Sequence, residues 1–309
     1  MFGDAGSLAE ITRLRGLIAG LDPDGPPAAV PAAGDLRLAR CRRVGVLPGS
    51  FNPPTDAHEA LVESALMGGL VDAAVYLLSV RTVDKERITG LRLEDRLIAL
   101  DLLIAGRPRR AAVLTNRGLY VDQVAALRTS FLAPDVEIVF LVGFDKILQI
   151  FDPKYYDDRD AALRRLFAGA RIAVAPRAGQ DDRDLAALID RPENRPFADG
   201  VALLPLPPGT VDPDLSATRV REALAAGRPP GGVAEPVARF LRATSAFAPA
   251  EVIDGEPVDR YALRHQIVDR LMSTGSPPEA EATFDKWLRR SVQPTPTGKA
   301  LRESLRSGR

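Results

Sequence analysis

Six apolar runs alternate with helical stretches through the middle of this 309-residue chain. The runs predict strands at 43–48, 73–79, 110–115, 136–142, 171–175 and 201–206, and the stretches between them predict helices at 57–67, 92–105, 121–132, 144–151 and 158–168. Runs that are apolar throughout, rather than alternating, are typical of parallel strands covered on both faces. The pattern therefore predicts an α/β fold, a doubly wound (Rossmann-like) parallel sheet with added N- and C-terminal helices.

The N-terminal segment precedes this alternation. Residues 7–20 have the spacing of a short amphipathic helix, whose apolar stripe is Leu8, Ile11, Leu14 and Ile18. Residues 22–35 are rich in Pro, Ala and Gly, a composition that indicates a linker. We therefore expect the N-terminal helix to be an appendage of the α/β core.

Three parts follow from these patterns. We expect an N-terminal helix and linker at 1–41, an α/β domain at 42–249, and a C-terminal helical extension at 250–309. The extension contains a predicted helix at about 258–273, and His265 lies off its apolar stripe. We interpret His265 as a surface or packing residue rather than a catalytic one.

Composition excludes several classes of function. Lys and Arg total 41 and Asp and Glu total 41, so no general nucleic-acid footprint is indicated. The single cysteine, Cys41, excludes an internal disulfide and favours a reducing compartment, and His58 and His265 are too few for a His-rich metal site. No apolar run approaches the roughly 20 residues that span a bilayer. We expect a cytoplasmic protein with no membrane or nucleic-acid partner.

The stretch from Val44 to His58 reads as a strand, a turn and a helix start. Asp56 and Glu59 are spaced as a capping box, which predicts Asp56 as the helix N-cap. His58 then lies in the first helical turn, on the inward face, beside free N–H groups and the positive end of the helix dipole. That arrangement is an anion site with a titratable donor. The chain lacks the G-x-x-x-x-G-K-[ST] and G-x-G-x-x-G motifs, which argues against a P-loop protein and a dehydrogenase.

The same stretch carries a family resemblance. Gly49, Ser50 and Phe51, continuing through Thr55 to His58, give G-S-F-N-P-x-T-x-x-H. This closely resembles the first signature of the nucleotidylyltransferase superfamily (T/HxxH type), in particular the nicotinate and nicotinamide mononucleotide adenylyltransferases, which make deamido-NAD or NAD.

A second stretch, Leu215 to Arg221, reads L-S-A-T-R-V-R and resembles the superfamily's second signature, I-S-S-T-x-[IV]-R. Ser216 is a good N-cap and Gly227 a good helix stop. Alone, the pattern fits an ordinary capped surface helix equally well. Two signatures in the right order, each opening a helix, are far more specific than either one.

Weaker matches extend the resemblance over about residues 43–248. It implies a phosphate contact for Lys85, a substrate-binding Arg96 on the helix that follows, a pyridine-nucleotide segment at Tyr120 and Asp122, and an adenosine loop at Gly143 and Asp145. A strand followed by R-x-G resembles the family's next segment. The remaining binding residues that the resemblance implies are Arg177, Ser216 and Thr218.

The reaction that the resemblance implies joins ATP to nicotinate or nicotinamide mononucleotide and releases pyrophosphate. Thr55, His58, Lys85 and Arg221 would stabilise the phosphates, and Mg²⁺ would be bound mainly through phosphate oxygens, with no metal ligands from the protein. The substrates are small nucleotides. A homo-oligomer is compatible with the sequence.

Other functions are also compatible with the sequence. A related enzyme could use phosphopantetheine as acceptor, or CTP with a phosphorylated alcohol, and a non-catalytic sensor could keep the nucleotide pocket. Many relatives stack the pyridine ring on a Trp, but the single Trp here is Trp287, in the tail. Candidate replacements are Tyr120, Phe151, Tyr155 and Tyr156. The sequence does not decide between nicotinate and nicotinamide.

Overall fold

The computed structural model describes residues 6–34, 41–80, 90–130, 132–176, 182–207, 215–253 and 256–274. Seven strands of these residues form one sheet in the order β1-β4-β3-β2-β5-β6-β7. Only β1 is antiparallel to its neighbour, and the other pairings are parallel. In chain order the strands are β1 (Ala29–Gly34), β2 (Arg43–Pro48), β3 (Ala73–Ser79), β4 (Arg110–Thr115), β5 (Glu137–Gly143), β6 (Ala170–Ala175) and β7 (Val201–Leu203).

Helices connect these strands and continue after them. They are α1 (Leu8–Ala19), α2 (Asp56–Met67), α3 (Leu93–Ile104), α4 (Tyr120–Ser130), α5 (Phe144–Phe151), α6 (Arg159–Gly169), α7 (Asp182–Ile189), α8 (Ala217–Ala225), α9 (Glu235–Thr244) and α10 (Arg260–Thr274). A small hairpin, β8 (Glu251–Ile253) and β9 (Glu256–Val258), precedes α10. The predicted doubly wound α/β fold is confirmed. β2, β3 and β4 have the predicted bounds, whereas β7 is shorter than the predicted strand at 201–206.

The sheet separates two hydrophobic layers. One layer contains buried residues of α1, α2, α3, α8, α9 and α10, and the other contains those of α4, α5, α6 and α7. The central strands are buried on both faces, as in β4, where all six residues are buried. Residues that face both layers must be apolar, which is why these strands appear in the sequence as unbroken apolar runs.

The linker interpretation of residues 22–35 is wrong for 29–34, because these residues form the edge strand β1, antiparallel to β4. Its two buried residues, Ala29 and Ala32, are three positions apart, and its register shifts between Pro31 and Ala33. Proline is tolerated in a sheet mainly at an edge, where its missing N–H is not needed by a second neighbour. Small side chains and a proline thus concealed an edge strand.

The N-terminal helix is also more than an appendage. Ser7 caps α1 by accepting a hydrogen bond from Glu10 N at 3.1 Å, and Leu8, Ile11 and Leu14 are at most 5% exposed within the first hydrophobic layer. The chain that follows is held by Asn116, whose side-chain nitrogen donates to the carbonyls of Asp22 and Pro26. The N-terminal segment therefore covers the sheet and completes its core.

The C-terminal helix packs on the same layer. Ile267 and Val268 of α10 are buried in it, and His265 is fully buried, so the packing interpretation of His265 holds and the surface one does not. Trp287 lies outside the described residues. The domain boundaries at 41 and 249 stay predictions. Among the described residues, no helix combines the length and the apolar character that crossing a membrane requires.

We expect Leu14→Ala to lower the free energy of unfolding by about 2–5 kcal/mol, the usual cost of removing a buried leucine side chain. Leu14 is 1% exposed, whereas Thr12 on the same helix is exposed. Chemical denaturation of Leu14→Ala and the control Thr12→Ala measures the difference. Equal, small losses in both variants would show that α1 is dispensable to the core.

Candidate active site

The sheet reverses its winding between β2 and β5. These strands are neighbours, but the chain leaves β2 for α2 in one layer and leaves β5 for α5 in the other. In doubly wound sheets the carboxyl ends of two such strands flank a crevice, which is the usual ligand site. The predicted motif residues from Gly49 to His58 follow β2, and Gly143 and Asp145 lie at the end of β5 and the start of α5.

The turn after β2 is anchored by Phe51. Its φ is +44°, and its fully buried ring packs edge-on against the rings of His58 and Tyr76, with centroid distances of 5.2 and 5.8 Å. A Cβ on Gly49 would lie 2.9 Å from the Phe51 ring, so this close approach requires glycine. The Asn52–Pro53 peptide bond is cis. Because the ring of Phe51 is enclosed, only the backbone of this residue can face a ligand.

Not every N–H group of the turn is available. Gly49 N donates to Leu77 O at 3.1 Å, so this N–H is already engaged with β3. The N–H groups of Ser50 and Phe51 donate to no group within the described part of the chain. These two N–H groups are therefore the donors that the turn can offer to an anion.

The predicted cap of α2 is also wrong by one residue, because Thr55 rather than Asp56 is the N-cap. Thr55 N donates to His58 Nδ1 at 3.0 Å, and the Thr55 hydroxyl lies 2.8 Å from the same nitrogen. A backbone N–H can only donate, so Nδ1 must be an unprotonated acceptor. The imidazole then carries its proton on Nε2.

Burial fixes the charge of this imidazole. It lowers the pKa of His58 to about 4. His58 is therefore neutral at pH 7, and its Nε2–H is a donor without a positive charge. The sequence correctly indicated a donor in the first turn of α2, although not that Thr55 sets its tautomer.

Asn52 joins the turn to the start of α3. Its side-chain oxygen accepts from Leu91 N at 2.9 Å. Arg96, which is 3% exposed, donates to Leu91 O at 2.8 Å and to Ser50 O at 3.3 Å. Burial lowers the pKa of Arg96 to about 10, so its guanidinium remains charged at neutral pH. These contacts favour a positioning role for Arg96, with its charge directed at the turn.

The second signature lies against the first. Ser216 caps α8 by accepting from Arg219 N at 3.3 Å, as predicted. Arg221 donates from Nη1 to Asn52 O at 2.9 Å and from Nη2 to the Thr218 hydroxyl at 3.0 Å. Arg221 and Asn52 are 169 positions apart in the chain, so the fold itself brings these two motifs together.

Four further predicted residues lie at the same edge of the sheet. Tyr120 and Asp122 are in the first turn of α4, after β4, and the Tyr120 ring packs edge-on against Phe140 at 5.1 Å. Gly143 is the N-cap of α5, and Asp145 is exposed in its first turn. The functional roles of these residues stay predictions, and Lys85 and Arg177 lie outside the described residues.

The candidate aromatic residues differ in placement. Phe151 is 5% exposed and packs against Phe167 and Phe197, so it belongs to the core. The Tyr156 hydroxyl donates to Ile150 O at 2.8 Å, and the Tyr155 ring contacts the Lys154 ammonium group. Burial raises the pKa of Tyr120 above its ordinary value, so this hydroxyl stays protonated.

Sequence reasoning missed Asn52, which links the turn both to Leu91 and to Arg221. The available signal was an amide side chain inside an otherwise apolar turn, a residue type that commonly bonds to nearby backbone groups. In the described part of the chain, no group of three or more His, Cys, Asp or Glu residues could hold a metal ion.

Comparison of the chain with known protein families finds no family model that matches it. It is 30% identical over 167 residues to a Gluconobacter oxydans protein named as a probable nicotinate-nucleotide adenylyltransferase, which covers 52% of this chain and 81% of that protein. It is 28% identical over 195 residues to a Schizosaccharomyces pombe protein that carries the name nicotinamide mononucleotide adenylyltransferase, over 59% of this chain and 76% of that one.

Among solved structures, a nicotinic acid mononucleotide adenylyltransferase of Plasmodium falciparum complexed with NaAD aligns with a TM-score of 0.47 and 15% identity, over 65% of this chain and 95% of that one. From the sequence relatives, the chain belongs to the nicotinate- and nicotinamide-nucleotide adenylyltransferase family of the nucleotidylyltransferase superfamily, which confirms the resemblance of its two signatures.

We expect Gly90→Ala to destabilise the contact between the Ser50–Asn52 turn and the start of α3. The φ of Gly90 is +117°, and an added Cβ would lie 2.5 Å from Phe247 Cε1 and 2.7 Å from Asn52 Oδ1. Gly106→Ala is a matched control, because Gly106 also has a positive φ, of +72°, but no atom within 4 Å of an added Cβ. Overpacking should cost Gly90→Ala at least about 1 kcal/mol more than the control, as measured by chemical denaturation. Equal losses in both variants would mean that the contact with Asn52 is loose.

Proposed function

We propose that this protein transfers the adenylyl group of ATP to nicotinate or nicotinamide mononucleotide and releases pyrophosphate. The observation that carries the proposal is the hydrogen bond from Arg221 to Asn52 O, which joins the two signatures at the crevice between β2 and β5. The names of the sequence relatives support a pyridine mononucleotide as the acceptor.

In the proposed reaction, a phosphate oxygen of the mononucleotide attacks the α-phosphorus of ATP. A new P–O bond forms, and the bond to the bridging oxygen breaks, so that pyrophosphate leaves with the electron pair. The attacking phosphate is already ionised at neutral pH and needs no general base. Catalysis then depends on in-line positioning and on stabilising the charge that moves onto pyrophosphate.

His58 has the properties that this charge movement requires. Thr55 holds Nδ1 as an acceptor, so Nε2–H is the one ring proton, and it lies at the N-terminus of α2. We assign it as the donor to the α/β-phosphate region, together with the N–H groups of Ser50 and Phe51 and the dipole of α2. A neutral donor can strengthen its hydrogen bond as negative charge develops without first binding ATP as an ion pair.

Arg221 supplies positive charge beside this turn. In the proposal it neutralises the departing pyrophosphate with Lys85, and Ser216 and Thr218 assist at the N-terminus of α8. The Thr218 hydroxyl already orients Arg221, which limits the conformational freedom lost on binding. Arg96 adds charge from the buried side of the turn.

The two other substrate regions follow the sheet edge. We assign the adenosine to Gly143 and Asp145, beyond β5, and to Arg177, which lies outside the described residues. We assign the pyridine ring to the segment that contains Tyr120 and Asp122, beyond β4. Magnesium enters as part of the substrate Mg-ATP. The described residues contain no carboxylate cluster that would hold the ion directly, so no step is assigned to a protein-bound metal.

We expect His58→Asn to reduce turnover by at least about 100-fold, the effect of losing one donor that stabilises developing charge. Asparagine places an amide oxygen near the position of Nδ1, so it can still accept from Thr55 N but has no group at Nε2. His58→Ala should be equally slow and also lose about 1 kcal/mol of stability, because the cap is lost. The wild-type rate should show no histidine titration across neutral pH, since the pKa of His58 is about 4.

Steady-state pyrophosphate release and thermal denaturation of these two variants provide the check. Wild-type turnover in His58→Asn would remove Nε2 from the mechanism. Slow turnover only in His58→Ala would mean that His58 acts by capping α2.

The acceptor is tested by pyrophosphate release with Mg-ATP and a panel of acceptors. The panel contains nicotinate mononucleotide, nicotinamide mononucleotide and phosphopantetheine, with CTP and a phosphorylated alcohol in parallel. We expect release with a pyridine mononucleotide and formation of the corresponding dinucleotide. Release with phosphopantetheine or CTP alone would identify another acceptor, and ATP binding without release from any mixture would identify a nucleotide sensor.

A further inference from the structure

A buried ionic cluster joins α10 to α3. Asp95, Arg264 and His265 are each fully buried. Arg264 Nη1 donates to both oxygens of Asp95 at 2.9 Å, and His265 Nε2 lies 2.8 Å from Asp95 Oδ2. The Tyr261 hydroxyl donates to the same oxygen at 2.5 Å.

Docking a helix through buried charged groups costs free energy, because these groups lose their solvation by water. Only well-placed partners compensate for that loss, and apolar residues of similar volume often stabilise a protein as well or better. Burial alone would raise the pKa of Asp95, but Arg264, His265 and Tyr261 outweigh it, so that this pKa lies below its usual value. A cluster of this kind fixes one orientation of α10 on α3, whereas apolar packing tolerates several.

Tyr261 extends the cluster to the backbone at the start of α3. Its hydroxyl accepts from Arg92 N at 2.9 Å, and Arg92 is the N-cap of α3. The same hydroxyl therefore satisfies a backbone donor at the helix start while donating to Asp95 in the first turn. It fixes the N-terminal end of α3 rather than its middle.

The residues fixed in this way are those that hold the turn of the candidate active site. Leu91 directly precedes Arg92, and its N–H and carbonyl bond to Asn52 and Arg96. Arg96 follows Asp95 and donates to Ser50 O. Tyr261 is thus connected to the turn by its hydrogen bond with Arg92, the peptide bond from Arg92 to Leu91, and the hydrogen bonds of Leu91 with Asn52 and Arg96.

We propose that α10 is a working part of the active site and that Tyr261 is a positioning residue, which aligns the Ser50–Asn52 turn through Arg92, Leu91 and Arg96. The proposal rests on the proposed function for its kinetic consequence but not for its structural one. α10 acts here without touching the nucleotide.

The central variant is Tyr261→Phe in the full-length protein, which removes only the hydroxyl. The first measurement is hydrogen–deuterium exchange without ligand, followed in peptides that cover 49–56 and 90–97. We expect exchange in both to quicken at least about threefold. The second measurement is pyrophosphate release, where we expect kcat to fall about tenfold with KM for the mononucleotide changed less than twofold, because small misplacements of reacting groups are costly.

Val268→Ala is the matched control on the same helix. Val268 is fully buried in the hydrophobic layer on which α10 packs, and its apolar side chain takes no part in the hydrogen bonds of Asp95 and Tyr261. It should weaken the docking of α10 without altering exchange at 49–56. The control separates loss of helix docking in general from loss of the Tyr261 contact.

Arg96→Lys tests the route and serves if Tyr261→Phe folds poorly. Lysine keeps the charge but cannot bond both Leu91 O and Ser50 O in the same way. It should reproduce the kinetic and exchange changes of Tyr261→Phe, and the double variant should be no slower than about twice the worse single variant. Multiplying effects would show that Tyr261 acts by another route.

Two results would overturn the proposal. One is unchanged exchange at 49–56 and unchanged kcat in Tyr261→Phe, whatever its melting temperature. The other is equal changes in Tyr261→Phe and Val268→Ala, which would make Tyr261 a docking residue only. A wild-type protein that releases no pyrophosphate would instead count against the proposed function and leave the exchange measurement decisive for this proposal.

Discussion

Two guanidinium groups hold the backbone turn from Ser50 to Asn52. Arg96 donates to Ser50 O from the side of α3, and Arg221 donates to Asn52 O from α8. These bonds place two positive charges beside the turn, whose Ser50 and Phe51 N–H groups have no acceptor among the described residues. Each of these two bonds joins the turn to a part of the chain that is distant in sequence, α3 in one case and α8 in the other. The position of the turn therefore depends on how both helices pack on the sheet.

The sheet explains why such a turn can exist. β2 lies at the centre, and the chain leaves its neighbour β5 into the opposite layer, so the turn lies where doubly wound sheets usually form a ligand crevice. The ring of Phe51 packs into the apolar layer below the turn and holds the turn in place. His58 carries its Nε2 proton in the first turn of α2. Apolar packing therefore fixes the position of polar groups that a solvated loop could not hold.

The central strands could be predicted from the sequence because burial on both faces leaves an unbroken apolar run, as in β3. The two signatures predicted where the candidate site lies and the position of His58 in the first turn of α2, because a local motif determines the local turn. The edge strand β1 could not be read, because Ala and Pro carry little strand signal. The tautomer of His58 depends on Thr55 acting as the cap, which Asp56 concealed. The cluster around Asp95 depends on Arg264, 169 positions away, and each residue looks like a solvated charge on its own helix.

The most direct measurement of the central claim is the footprint of Mg-ATP on the wild-type protein by hydrogen–deuterium exchange. The account predicts that ATP slows exchange at 49–58 and at 215–221 together, because the two signatures form one nucleotide site across the Arg221–Asn52 bond. Protection of only one of these segments, or protection confined to other parts of the chain, would contradict it.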